Sequence, residues 1–163
     1  MSRALSELDA VLRQIHAAHG KLLEQLDAQQ AAMKTMNLNA MAEAAAQQEL
    51  LRARLMSMDT QRRALAVQLA REMRIEGEVT LSKLAKLNPA QAASLLQLRR
   101  DLRETIEAIR LRTKIGSRLA SAVLGHLNTV MRLFAAAVHK GSVYTKHGTP
   151  NLAGRIGAME TVG

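Results

Sequence analysis

The sequence predicts an all-α protein: an elongated antiparallel bundle of three long helices, made of a coiled-coil-like hairpin plus a long C-terminal helix, with a flexible tail. Three observations lead there. Nearly half of the 163 residues are apolar (48%), yet there is one Phe, one Tyr and no Trp. That apolar weight falls on Ala, Leu and Met, which lose little rotamer freedom in helices, while the strand-forming Val, Ile and aromatics are sparse. Apolar residues also recur at alternating spacings of three and four, the pattern of long helices packed side by side. Finally, Asn37-Leu38-Asn39, Gly77 and Asn88-Pro89 punctuate the chain and divide it into three. A single helical domain over 1–141 is expected, with helices at about 4–36, 40–76 and 89–140, and a flexible basic tail over 142–163.

The first helix carries a seam of Leu5, Leu8, Leu12, Ile15, Leu22, Leu26, Met33 and Met36. His19 and Gln29 occupy the two remaining seam positions and read as polar residues tuning register. Ser6 with Asp9 three residues on resembles a capping pair at its start. In the second helix the seam is Met41, Ala44, Leu51, Leu55, Met58, Leu65 and Leu69, interrupted by Gln48 and Arg62. So short a break between two long helices favours antiparallel neighbours whose seams face each other. Gly77 is expected to stop the second helix, and the following EVTLSKLAKLNP to hold one helical turn. Asn88 as N-cap and Pro89 at the first helical position then open the third helix. That helix carries Leu95, Leu98, Leu102, Ile106 and Ile109, whose face through Gly116 reads as core. Gly116 and Gly125 within it mark a bend, a close approach or a point of fraying.

Charge and composition exclude several classes. The net charge of +9 suits nucleic acid, an anionic membrane or an acidic protein. Nucleic-acid binding is not expected, because aromatic stacking platforms are missing and basic pairs occur only at Arg62-Arg63 and Arg99-Arg100. Neither a signal peptide nor an apolar run of the roughly twenty residues a membrane span needs is read, so a soluble cytoplasmic protein with no membrane insertion is expected. The chain has no Cys, hence no disulfide framework or cysteine-based metal site.

No catalytic chemistry emerges. There is no phosphate-binding P-loop, dinucleotide fingerprint, nucleophile elbow or HExxH. Glu104 and Glu107, flanked by Arg103 and Arg110, form an ordinary solvated helix face. His16 and His19 sit one helical turn apart, but no third ligand accompanies them in sequence, so no metal or other cofactor is assigned. Met33, Met36, Met41, Met56 and Met58 read as seam filler rather than as an adaptable binding surface.

The stretch with most to say runs from Arg112 to Tyr144. Leu119, Val123, Leu127, Val130, Phe134 and Val138 fall on one helical face, widened by Ala120, Leu124, Met131 and Ala135. From Leu111 onward there are seven Lys or Arg residues and a single acid, Glu160. Anchors at such spacings suit a helix-in-groove contact with a partner. The same stripe could instead join the bundle core, or be covered by a second copy in a homodimer.

Gln61-Arg62-Arg63-Ala64-Leu65, Gly116, Asn128 and the Tyr144-Thr145-Lys146-His147-Gly148 segment together resemble the FlgN family, small helical cytoplasmic chaperones of flagellar type III export. Family members commonly show Y-G-x-x-G in the last segment; this chain keeps the end residues, Tyr144 and Gly148, and lacks the middle glycine, with Thr145, Lys146 and His147 between. The resemblance implies binding of hook–filament junction proteins, which are kept unpolymerised and delivered to the export gate. It also implies a client site in the helix of Leu119, Val123, Leu127, Val130, Phe134 and Val138, and docking of Tyr144 on the export-gate protein FlhA. The competing expectation is a structural or scaffolding coiled coil that associates only with itself.

Overall fold

The computed structural model describes residues 3–142, with side chains through Val138. Every regular element among them is helical: α1 (Arg3–Lys34), α2 (Leu38–Glu72), α3 (Leu81–Leu87), a 3-10 turn over Pro89–Gln91 and α4 (Ala92–Ser142). The chain divides into two units, Met1–Ala120 and Ser121–Gly163, and α4 contributes to both. The all-α expectation holds. The element order adds one short helix, α3, where a single turn was expected.

In the first unit the core is built around α1. Leu5, Leu69, Leu84 and Leu95, one from each helix, have almost no solvent exposure and belong to one cluster. Each such burial contributes about 1.5–3 kcal/mol relative to an exposed side chain. The start of α1 thus meets the end of α2, while Gln48 near the start of α2 bonds Gln25 and Gln29 near the end of α1. The pair is an antiparallel hairpin. α4 runs in the same direction as α1: Arg13 donates to Ser94 (2.9 Å), His16 pairs with Thr105 (3.1 Å), and Gln30 Nε2 donates to the Arg112 carbonyl (2.9 Å). Facing two helices at once, α1 buries Ala4, Val11, Ala18 and Ala32 in addition to its seam.

The helix ends differ from expectation in instructive ways. α1 begins by Arg3, so Ser6 lies within the helix, exposed, and is no cap. α2 ends at Glu72, short of Gly77. Its stop is a backbone motif: the Ile75 N–H bonds the Ala70 carbonyl (2.9 Å), with Arg74 in the left-handed region at φ 49°. α1 ends the same way, with Asn37 N–H on the Ala32 carbonyl (2.9 Å) and Met36 at φ 54°. Met36, read as a seam residue, is therefore the exposed left-handed residue beyond the helix. Asn37 does cap α2, its Oδ1 accepting from Ala40 N–H at 3.1 Å. Asn88 does not cap α4. Its Nδ2 donates back to the Leu84 carbonyl (3.0 Å) and closes α3, and Pro89 opens the 3-10 turn instead.

The polar interruptions of the two seams find each other. Gln48 Nε2 donates to Gln29 Oε1 (3.1 Å) and to the Gln25 carbonyl (3.2 Å). Arg62 turns aside to Asp59 (2.7 Å). A Cβ at Gly116 would lie 3.9 Å from Gln30 Nε2, so this glycine marks the approach of α1, while nothing lies within 4 Å of such an atom at Gly125.

Candidate partner-binding surface

Leu119 lies in the first unit and is half-buried; the other five stripe residues lie in the second. Within the second unit, Val123 and Val130 are partly covered, Leu127 is 38% exposed, and Phe134 and Val138 are 67% and 62% exposed. Leu124, Met131 and Leu133 beside them are equally open. The chain's one Phe therefore stands in solvent. From Ser121 to Ser142 the helix contains no acid, and its charges are Arg132 and Lys140. An isolated helix gains little from propensity alone, so a surface of this kind gains its stability when its apolar face is packed. Tyr144 and the segment 143–163 lie outside the described residues.

The core expectation for Ile106 to Gly116 is met only in part. Ile109 is half-buried, but Ile106, Leu111 and Ile115 are exposed. α1 takes up the α4 face bearing Ser94, Thr105 and Arg112; Ile106 stands on one flank of that face, and Leu111 and Ile115 on the other. Arg112 is held to α1 twice, through its carbonyl by Gln30 and through its guanidinium by Asp27 (2.6 Å).

The two histidines of α1 sit in different surroundings. His16 is engaged by Thr105. His19 Nδ1 is buried with no hydrogen-bond partner, and burial, helped by the neighbouring His16, pulls its pKa below the usual histidine value. It is a neutral seam residue. Among the described residues no three His, Cys, Asp or Glu side chains converge on a point that could hold a metal ion. Glu7, Asp9, Glu49, Asp59 and Glu107 are tied to arginines of their own helices; Asp59 is held below the usual carboxylate range, chiefly by the hydrogen bond from Arg62. By length and composition alone, one helix among the described residues, Pro89–Val138, holds a stretch apolar enough to cross a membrane, and a single such helix is weak ground for a span. It contains His126, Asn128 and Arg132, and a single such helix is also what a partner-binding helix presents.

Sequence reasoning missed the Gln29–Gln48 pairing, although two polar interruptions in facing seams were its signal. It also missed the polar contacts that tie α4 to α1, through Ser94, Thr105 and Arg112.

Fold and surface define a class: a protein whose described residues are helical and leave one apolar helix face open. The comparison with protein families is specific. A family model described as FlgN protein matches residues 1–151, and the chain belongs to the FlgN family. This is a chaperone family of flagellum biogenesis, so membership supports a general role as a flagellar export chaperone. No curated protein and no solved structure matches the chain.

Proposed function

We propose that the chain binds hook–filament junction proteins in the cytoplasm, keeps them unpolymerised and delivers them to the type III export gate. The observation that carries this reading is the exposure of Leu127, Phe134 and Val138 on one helical face. Burying what remains exposed of each against a client helix would contribute on the order of 1 kcal/mol for Leu127 and about 1–2 kcal/mol for Phe134 and Val138, before ordering costs. Tyr144, matched by resemblance to the family's docking tyrosine, is the residue proposed to engage the export-gate protein FlhA. The scaffolding alternative draws less support, because the seams of α1 and α2 are satisfied within one chain. Hydrogen exchange tests the reading. Amides of Leu119–Val138 should exchange fast in the free protein and slow on adding a junction protein from the same organism. Full protection in the free protein, unchanged by any junction protein, would refute it and favour the self-contained coiled coil. Protection that rises with the protein's own concentration would indicate a homodimer instead.

A further inference from the structure

Between α2 and α4, floored by α1, the first unit carries an open groove. One part, about 680 Å3, is lined by Leu12, Ile15 and His19 below, by Leu55 and Asp59 of α2, and by Leu102 and Ile106 of α4. A second part of about 320 Å3 continues it past Leu22 and Leu26 to Ala45 and Thr113, and Arg52 and Leu55 line both. From Ala45 to Arg63 the groove follows α2 over nineteen residues, or about 27 Å at the helical rise. That is the length of five helical turns.

The rim is basic on both sides. Along α2 stand Arg52, Arg62 and Arg63. Along α4, Arg99, Arg103 and Arg110 share the helical face of Ile106, which is itself 38% exposed. Three acids answer these six arginines: Glu49 pairs with Arg52, Asp59 with Arg62 and Arg63, and Glu107 with Arg110. Apolar floor, helical length and excess positive rim define the occupant's chemistry.

We propose that this groove receives an amphipathic helix of a partner protein, its apolar face on Leu55, Leu102 and Ile106 and its acidic flanks on the arginine rims. The site is distinct in sequence from Leu119–Val138 and does not rest on the client reading. Two other occupants fit the charge poorly. The chain's own residues 143–163 carry Lys146 and Arg155 against one acid, Glu160. A second copy, with net charge +9, would set arginine against arginine across a twofold axis.

The absence of cysteine makes the test direct. A fluorophore on Thr60→Cys, exposed at the groove's edge, reports binding of a synthetic five-turn peptide with Leu at the a and d positions and Glu at e and g, beside a twin with Lys at e and g. The Glu peptide should bind at least about tenfold more tightly, and more weakly as salt rises. The triple variant R52E/R63E/R103E, all three at exposed positions, should reverse the preference while keeping its helical circular dichroism. Equal binding of the two peptides would overturn the proposal, as would loss of the Glu peptide in L127S/F134S with the groove variant unaffected. Spin labels on Thr60→Cys and Ala158→Cys complete the test. A short distance between them in the free protein, or a concentration-dependent coupling between copies, would assign the groove to the chain's own end or to a second copy and refute the partner.

Discussion

Replacing Gln48 by Leu tests whether the facing polar interruptions fix the hairpin. Gln48 Nε2 makes two hydrogen bonds across the α1–α2 interface, at 3.1 and 3.2 Å. Each contributes about 0.5–1.5 kcal/mol net, and each leaves an acceptor behind when the donor is removed. Both glutamines are only half-buried, so water recovers part of the loss. Gln48→Leu is expected to cost about 1 kcal/mol, and Gln29→Leu somewhat less, since the Gln25 carbonyl keeps its donor. The double variant should recover most of this, because two leucines at seam positions pack on each other and no side-chain group is orphaned. A coupling of about 1 kcal/mol between the sites is the quantity to measure. Urea unfolding followed at 222 nm gives it, with sedimentation reporting whether the all-apolar seam has lost its register and begun to oligomerise. Additive single effects would refute the account and mean that the pair is incidental.

Other consequences follow from single residues. His19 has its pKa lowered by burial, so the folded state resists its protonation while the unfolded chain accepts it near pH 6.5. Stability should therefore be full above that pH and decline as pH falls through 6.5 towards the folded value; His19→Leu should flatten this slope in urea midpoints taken from pH 8 to 5. Arg74 holds a left-handed φ of 49° at the end of α2, and Arg74→Gly should raise stability by about 0.5–1 kcal/mol in urea unfolding. The opposite exchange suits Gly125, where added bulk meets nothing within 4 Å. Gly125→Ala should raise helicity at low temperature and stabilise the helix by about 0.5–1 kcal/mol.

Where periodicity is strong the sequence was legible. The seams of α1 and α2, the Asn37 cap and the long third helix were all readable from spacing, because a packed hairpin needs those residues whatever else is present. Helix ends were less so. Arg74 and Met36 terminate helices through backbone bonds that no side chain announces, and Asn88 serves the helix before it, its Nδ2 on the Leu84 carbonyl, while Pro89 opens a 3-10 turn ahead of α4. The stripe from Leu119 to Val138 was visible as an amphipathic face, but its openness was not. Periodicity registers that a face is apolar, and only packing shows whether this chain covers it. The groove was invisible for the same reason: it arises from α1 standing between α2 and α4.

That central place of α1 also sets an order of assembly. Its contacts with α2 are made by a chain turning back on itself, whereas its bonds to Ser94, Thr105 and Arg112 span 81, 89 and 82 residues. Closing the longer loop costs more entropy and waits for more chain to be made. A nascent chain therefore has a hairpin to fold long before α4 is available. Detachment of α4 in the finished protein retraces that step, opening one side of α1 while the hairpin keeps its own core.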